Sequence, residues 1–421
     1  MALTNFQSID PTRLSLKYID LRVNSPHYRG EISSQHNRYT IDEVVEICKI
    51  LNKYAPPGTL MKIRNVDLSK RPTTPPDEEV YAHFINEVKT TIGKGTQDSV
   101  RKNYFPDFDR GTLIRRYDNE KQLLDPWQGS GGRYVELTEF GKEFINANIE
   151  GKQIAFTKYI DKLLGGYVSI LNSILLHDDF EDFGKDKIFF EEFQFFISAL
   201  NAPHPDFKID QLSDCINLMR DFRKLPMSQR RGLSIMMSEQ LKPENFTGDK
   251  TMKRDLHNWN NKIQQMFYLL NQTPYFEVAT NNQFIAFKTS IRPDEFDAKK
   301  NRKRNLREKI EYRKKHTQNL KVDGFELDHL IPFSWAETAV QNSLIDHHKN
   351  MLYIDGYSHG IKTQNRSKHH ILEPFNELDF LLKSSDPEDE AIYLEFDKNV
   401  KYNPQYRDEI LEYNKQLCEI V

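Results

Sequence analysis

A chain of 421 residues has room for roughly two to four domains, each with its own core, and its 38% hydrophobic and 29% charged residues are those of a globular protein with no apolar run long enough to span a membrane. The 59 Lys and Arg against 62 Asp and Glu give a net charge of −3, which excludes a generally basic coat and leaves any nucleic-acid surface to be local. Cys48, Cys215 and Cys418 are too scattered for a disulfide framework or a cysteine zinc cluster, and with no signal-peptide pattern at the N-terminus the expectation is a cytoplasmic protein.

In chain order, the first thirty-odd residues are polar and irregular, which suggests an arm docking on a later part of the chain. From Thr40, DEVVEICKILNKY sets Val44, Val45, Ile47, Cys48, Ile50 and Leu51 at helical spacing, and Pro56, Pro57 and Gly58 end that helix. RPTTPPDEEVYAHFINEVKTTIG opens a second helix with acidic residues in its first turn, as the helix dipole favours. Thr96 then caps a short helix carrying Gln97, Ser99, Arg101, Lys102 and Asn103, followed by the apolar Leu113 and Ile114. Tyr134, Val135 and Leu137 enter a strand, and Thr138 caps EFGKEFI. This order of helix, helix, polar helix, strand and LTxxGxxF helix resembles a winged-helix domain. The resemblance implies that the polar helix enters the major groove. Gln97, Ser99, Arg101, Lys102 and Asn103 suit base reading there, Arg against guanine and Asn or Gln against adenine.

Residues 152–288 predict a second, mainly helical unit. KYIDKLLGGYVSILNSILL reads as a buried helix, KIFFEEFQFFISALN as one with a phenylalanine core face, and IDQLSDCINLMRDFRKLP as an amphipathic helix from near Asp210. PYFEVATNNQFIAFK predicts a hairpin turning at Asn281 and Asn282, and a helix feeding a hairpin again suggests a winged helix. Arg220, Arg223, Lys224, Arg230 and Arg231 suit phosphates or plain solvent equally.

KKNRKRNLREKIEYRKK, from Lys299 to Lys315, holds ten Lys or Arg against Glu308 and Glu311. A duplex backbone is the natural counter-charge. Arg302, Arg304 and Arg307 are therefore expected to touch phosphates, which positions DNA without choosing its sequence.

The chemistry concentrates in FELDHLIPFSW and KNMLYIDGYSHGIKT. Asp328 and His329 close a short apolar strand, Asn350 opens a second, and His359 and Lys362 lie one helical turn apart beyond it. Such a set can hold one divalent ion beside one general base, as phosphodiester hydrolysis requires. A cation neutralises charge developing on the phosphate and steadies the poor alkoxide leaving group. A neutral histidine takes a proton from the attacking water, because its ordinary pKa lies near working pH. Asp328 is a hard oxygen ligand for Mg²⁺ or Mn²⁺, His359 offers a nitrogen, and His329 remains as base. Strand neighbours point to opposite faces, so Asp328 and His329 share a site only if the strand ends there, which Pro332 favours. Asn350 is expected to hold strands and base in register, while His347 and His348 compete as ligand candidates, the simpler reading of them, as of His369 and His370, being exposed loop histidines.

ELDHLIP followed by NMLYIDGYSHGIKT resembles the signature of HNH endonucleases, the ββα-metal fold, over roughly residues 299–368. The separations from His329 through Asn350 and His359 to Lys362 are 21, 9 and 3. The resemblance implies Asp328 and His359 as metal ligands, His329 as general base, and Asn350 and Lys362 in support within the catalytic set. Many members hold a structural zinc on Cys-x-x-Cys pairs. No such pair occurs here, Asp355 and Tyr357 standing instead, so packing is expected to hold the domain without zinc.

After Lys368 the acidic tail reads as helical, with Phe375, Leu378, Phe380, Leu381 and Leu382 packing on the nuclease domain or a second subunit. The expected fold is an α+β multidomain protein, with winged-helix-like domains over 1–150 and 151–293 and a ββα-metal domain over 294–421. Recognition modules ahead of a cutting module resemble type II restriction endonucleases, particularly those cutting at a distance from their site. The resemblance implies sequence-specific cleavage of double-stranded DNA with Mg²⁺ or Mn²⁺, leaving 5′-phosphate and 3′-hydroxyl ends. It further implies a homodimer at least during cleavage, because an HNH domain attacks one strand at a time, a cognate DNA methyltransferase in the host, and no membrane partner. Two other readings stand beside it: a non-enzymatic DNA-binding regulator with a structural HNH-like unit, or a nuclease of another kind, namely a homing or phage enzyme, a methylation-dependent nuclease, or one acting on RNA.

Overall fold

The computed structural model describes residues 6–25, 27–29, 39–63, 76–128, 131–178, 180, 187–202, 205–245, 255–279, 281–288, 305–317, 323–365 and 369–421. The chain is α+β and divides into two compact units, one of Met1–Asn146, Ala155–Thr273 and Asn281–Ala286, the other of Ala147–Ile154, Pro274–Thr280 and Phe287–Val421. Among the described residues no helix is long and apolar enough to cross a membrane.

In the first unit the early residues are not irregular: Leu14–Asn24 is a helix, α1. It docks on Leu212–Arg223, where Ser15 donates its amide and hydroxyl to Asp221 at 3.0 and 2.8 Å. Its Arg22 is fully buried between the rings of Phe207 and Trp259, and donates to the carbonyls of Tyr28, Gln194 and Phe195 at 2.6–2.9 Å. Burial pushes the guanidinium down to about 10.

Ile41–Tyr54 (α2) forms as its spacing predicts, buries all six apolar positions, and begins with a capping box between Thr40 and Glu43. Met61–Lys62 (β1), Glu79–Ile92 (α3), a helical run over 97–110 (α4), Ile114–Tyr117 (β2) and Tyr134–Leu137 (β3) follow. The strands form an antiparallel sheet in the order β1-β3-β2, with Met61 opposite Val135 and Ile114 opposite Leu137. Phe84 of α3 stacks on Phe105 of α4 at 5.9 Å, which joins the two helices through their apolar faces. Buried Arg116 reaches Asp109 at 2.8 Å and the carbonyls of Pro126 and Gln128, tying the loop between β2 and β3 to α4. Thr138 caps Glu139–Asn146 (α5), accepting from Gly141 N at 2.9 Å. A Cβ on Gly141 would stand 2.4 Å from the Leu113 carbonyl, so this position takes only glycine without movement.

KYIDKLLGGYVSILNSILL is two helices rather than one: Ile149–Leu163 (α6) and Tyr167–Leu175 (α7) part at Gly165 and Gly166, whose φ of 70° and 88° breaks the helix. Lys187–Phe189 (β4) precedes Phe190–Phe195 (α8), and after Leu212–Arg223 (α9) come Met227–Gln240 (α10) and Leu256–Leu270 (α11). Arg223 pairs with buried Glu192, and Arg230 donates to the carbonyls of Leu225 and Arg223, so these two cations serve the fold rather than a phosphate. Phe276–Val278 (β5) and Phe284–Phe287 (β6) both form, Asn282 taking a φ of 57° between them, and β6 pairs antiparallel with β4.

The second unit is built on a hairpin. Phe325–His329 (β7) and Met351–Asp355 (β8) pair antiparallel, Phe325 opposite Asp355 and His329 opposite Met351, and Val400–Lys401 (β12) joins the far edge of β8. Leu306–Tyr312 (α12) precedes the hairpin, Ala339–Ile345 (α13) lies within its long connection, and Gly356–Gln364 (α14) follows it. The tail is not wholly helical. His369–Pro374 (β9), Phe380–Ser384 (β10) and Ile392–Leu394 (β11) form a second antiparallel sheet, and only Arg407–Cys418 (α15) is a long helix. The pleat sorts the hairpin's side chains between two cores. Leu352 and Ile354 join Leu330, Phe380, Leu382, Leu394 and Val400 under α14 and the second sheet, while Leu327, Met351 and Tyr353 pack on Tyr312 of α12. Each such ring or branched side chain contributes about 1.5–3 kcal/mol by its burial.

Candidate active site in the second unit

The strand alternation places Glu326 and Asp328 on the α14 side of β7. Asp355 at the end of β8 caps α14, accepting from Tyr357 N at 3.0 Å and Ser358 N at 3.2 Å, and Asn399 holds its other oxygen at 2.9 Å. Burial disfavours charge on Asp355, but these hydrogen bonds outweigh it and hold the carboxyl below its ordinary range. The cap starts the helix so that His359 and Lys362, one turn apart, both meet Asp328. His359 Nε2 lies 3.8 Å from Asp328 Oδ2, its Nδ1 lies 3.3 Å from Glu326, and the Lys362 ammonium bonds Asp328 and the carbonyl of His329.

This geometry fits one divalent ion. With Nδ1–H donated to Glu326, His359 presents the Nε2 lone pair toward Asp328, the arrangement of a carboxylate-oriented ligand histidine. Two donors 3.8 Å apart can share an ion whose bonds are about 2.0–2.2 Å. Lys362, only 4% exposed, would share Asp328 with that ion.

His329 ends β7 on the other face, 4% exposed, with Phe333 edge-on at 4.5 Å and its Nε2 3.1 Å from Asp346. Asn350 is fully buried just before β8. It accepts from Ile331 N at 3.0 Å and donates to the carbonyls of Ile331 and Ile345 at 3.0 and 2.8 Å, closing the neck of the connection that holds His329. The structure thus brings Asp328, His359 and Lys362 together on the α14 side of β7, whereas the His329 ring lies on the opposite face against Asp346 and Asn350 bonds the connection between the strands.

Sequence reasoning named His347 and His348 as competing ligands but missed the α12 carboxylate they face. Glu308 accepts from His348 N at 2.9 Å and His348 Nδ1 at 2.8 Å, and Glu308, His347 and His348 offer ligand atoms within 4.8 Å of one another. His348 is 7% exposed and His370 6%, so neither is a loop histidine in solvent. Burial opposes charge on Glu308, yet His347 and the bonds from His348 hold its carboxyl well below the ordinary range. Burial lowers the Lys288 ammonium, while Glu308 and Asp346 partly restore it. The donor types suit a transition metal, but the contacts already formed tie α12 to the residues before β8. A Glu one turn into a basic helix, facing a His-His pair, was the signal available.

The residues expected to read bases lie on α4 in the first unit. The Ser99 hydroxyl is engaged in the capping box with Thr96, at 2.8 Å from its amide, which withdraws it from base contact. Arg101 and Lys102 reach Asp98 at 3.1 and 2.7 Å on the surface, and those bonds hold the Asp98 carboxyl below its ordinary range. Exposed pairs of this kind are worth about 0.2–1 kcal/mol and exchange readily for a phosphate. Gln97 and Asn103 are partly exposed. Arg307 follows the Asn305 cap of α12, whereas Arg302 and Arg304 lie outside the described residues.

Two family models match the chain: the type IIS restriction enzyme MboII middle domain over residues 40–148, and the type IIS restriction enzyme MboII C-terminal domain over residues 305–421. Together they span just over half of it, and the second contains the whole strand-strand-helix site. No curated protein and no solved structure matches the chain.

Proposed function

We propose, on the premise that this chain carries the middle and C-terminal domains of a type IIS restriction enzyme and is a type II restriction endonuclease, that residues 40–148 read DNA as a winged helix and residues 305–421 cut it by HNH-type hydrolysis. The observation that supports the cutting mechanism is the meeting of Asp328 with His359 at 3.8 Å across β7 and α14, with His329 at the end of the same strand.

A divalent ion, Mg²⁺ or Mn²⁺, held by Asp328 and His359 would neutralise charge on the phosphate and on the departing 3′-oxygen. The remaining work falls to side chains. His329 takes the proton of the attacking water as the water oxygen bonds phosphorus and the bond from phosphorus to the 3′-oxygen breaks, which leaves 5′-phosphate and 3′-hydroxyl ends. Glu326 fixes the tautomer of His359. Lys362 holds the Asp328 carboxylate and the His329 carbonyl together, which sets the point where the strand ends and the two side chains part. Asn350 fixes the connection that carries the base.

For recognition, the order α2, β1, α3, α4, β2, β3 with its β1-β3-β2 sheet supports the winged-helix reading, α4 lying in the major groove. Gln97, Arg101, Lys102 and Asn103 meet DNA there, and Arg307 with the rest of the basic lead-in meets phosphates. One HNH site cuts one strand, so cutting a duplex calls for two copies acting together, and the host's own DNA for a cognate methyltransferase.

The deciding experiment incubates the purified protein with unmethylated phage DNA in Mg²⁺ or in EDTA. Discrete fragments only with Mg²⁺ are expected, and run-off sequencing of their ends gives site and offset. Binding without cleavage in either Mg²⁺ or Mn²⁺ would overturn the reading in favour of a regulator.

A further inference from the structure

We infer that Trp127 is a wedge that stacks into the duplex: its indole, held out from the connection between β2 and β3, enters a base step of the DNA that α4 reads. The inference rests on the reading of residues 40–148 as the DNA-reading domain, and it gives that domain a contact that makes no hydrogen bond to a base.

A half-exposed aromatic ring alone says little, since single apolar side chains are common on protein surfaces. Trp127, 49% exposed, differs in how firmly it is presented. Its amide donates to Asp125 Oδ1 at 2.7 Å, and the carbonyls on either side of it, of Pro126 and Gln128, accept from Arg116 at 3.1 and 2.9 Å. Arg116 is itself buried against Asp109 at 2.8 Å, which ties the backbone of the tip to α4. The ring is tied to the same helix, since the Arg110 guanidinium lies 5.0 Å from its centroid. Backbone and ring are thus both set by the helix proposed to lie in the major groove. A contact made by Trp127 therefore keeps a fixed register with those made by α4.

The other residues of the tip say what kind of contact this is. Residues 118–128 carry Asp118, Glu120 and Asp125 against Lys121 alone, which makes a poor clamp for phosphates. Asp118 shapes the turn, accepting from Glu120 N at 2.9 Å and Gln122 N at 2.8 Å. What the tip offers a partner is apolar: Trp127, and Leu123 at 60% exposed. The cations that bring a phosphate backbone close stand beside the tip, Arg110 on α4 and exposed Arg115 on β2. Apolar side chains on a rigid mount are what proteins push between base pairs, and parting a step costs least at pyrimidine–purine steps. Trp127 selects sequence through the ease with which one step opens.

The test uses the full-length protein and a duplex carrying one site located by run-off sequencing, in EDTA so that it is bound and not cut. The chain has three tryptophans; Trp259 is fully buried, and Trp335 lies against His370 in the second unit. Stacking on bases quenches indole emission. Titrating the duplex into the parent is expected to lower the emission, and Trp127→Phe to remove most of that drop. Trp127→Ala is expected to weaken binding about 5- to 150-fold, and Trp127→Phe only a few-fold, because a ring remains to stack. The slope of affinity against salt stays at the parent's value in both, since no phosphate contact is lost. Circularly permuted fragments are expected to show a bend centred in the site with the parent and a smaller one with Trp127→Ala. Parent emission that the duplex leaves unchanged would overturn the inference whatever the variants do, which covers a variant that fails to fold. Parent-like affinity or bending by Trp127→Ala would overturn it too. Lys102→Ala separates the two levels. If it and Trp127→Ala both bind as the parent does, the reading of residues 40–148 itself falls; if only Lys102→Ala is weakened, the wedge alone falls.

Discussion

At the scale of single residues, the site is a set of side chains each held by a second one. Glu326 is the exposed member, and it pairs with His359 at 3.3 Å. If His359 holds the metal as proposed, replacing Glu326 by Gln weakens its orientation, so the Mg²⁺ or Mn²⁺ concentration giving half-maximal cleavage is expected to rise about 10-fold or more, with DNA binding in EDTA unchanged. Asn350 makes three buried hydrogen bonds. Asn350→Ala leaves their backbone partners unpaired, and urea unfolding should register a loss of about 2–4 kcal/mol along with lost cleavage. The meeting of Asp328 with His359 and Lys362 could be anticipated because the two helix residues lie one turn apart just beyond the strand that pairs with Asp328's own. The contacts that Asp346, Glu308 and His348 make could not, since a carboxylate beside histidines has no sequence period and acquires meaning only when the connection folds back.

The elements show where local pattern suffices. α2, capped by Thr40 and amphipathic along its length, was readable residue by residue because its own turn supplies every signal. α6 and α7 were merged in the reading, as apolar content outweighed Gly165 and Gly166, whose positive φ decides the break. The tail strands β9 to β11 escaped notice because sheet pairing joins residues six to fifteen apart, beyond the reach of a local pattern, so their acidic, interrupted sequence looked helical. On α4, Lys102 is the more exposed of the two cations on Asp98. Lys102→Ala is expected to weaken binding across all sequences and to lower the salt slope by about one, as measured by titrating salt in a mobility-shift assay. Gly141→Ala sets a methyl against the Leu113 carbonyl and should destabilise the first unit by about 1–3 kcal/mol in the same denaturation assay.

For the whole molecule, stability should depend on pH through buried groups whose pKa folding lowers. His316 lies against Tyr312 and Tyr406, and burial drops its pKa to about 4 from 6.5. A depressed folded-state pKa gives stability that is complete above the unfolded value and is lost as pH falls toward the folded one. Stability is therefore expected to decline between about pH 6.5 and 4, and Glu308, also depressed, extends the decline below its unfolded range near 4.3. Denaturant midpoints measured across pH 4–8 test this, and His316→Phe should flatten the upper part.

Arg22 carries a consequence for anyone trimming the gene. The family match begins at residue 40, so a version starting there follows the natural-looking boundary. It would strip out the one guanidinium that fills the space between Phe207 and Trp259 and satisfies the carbonyls of Gln194 and Phe195. What remains is a hollow lined by aromatic faces, in which Ser198 still serves the Gln194 carbonyl but the Phe195 carbonyl has lost the guanidinium, open to water or to another chain. Expression of the shortened protein should yield inclusion bodies where the full-length chain stays in solution, and the remedy is to keep the leading helix.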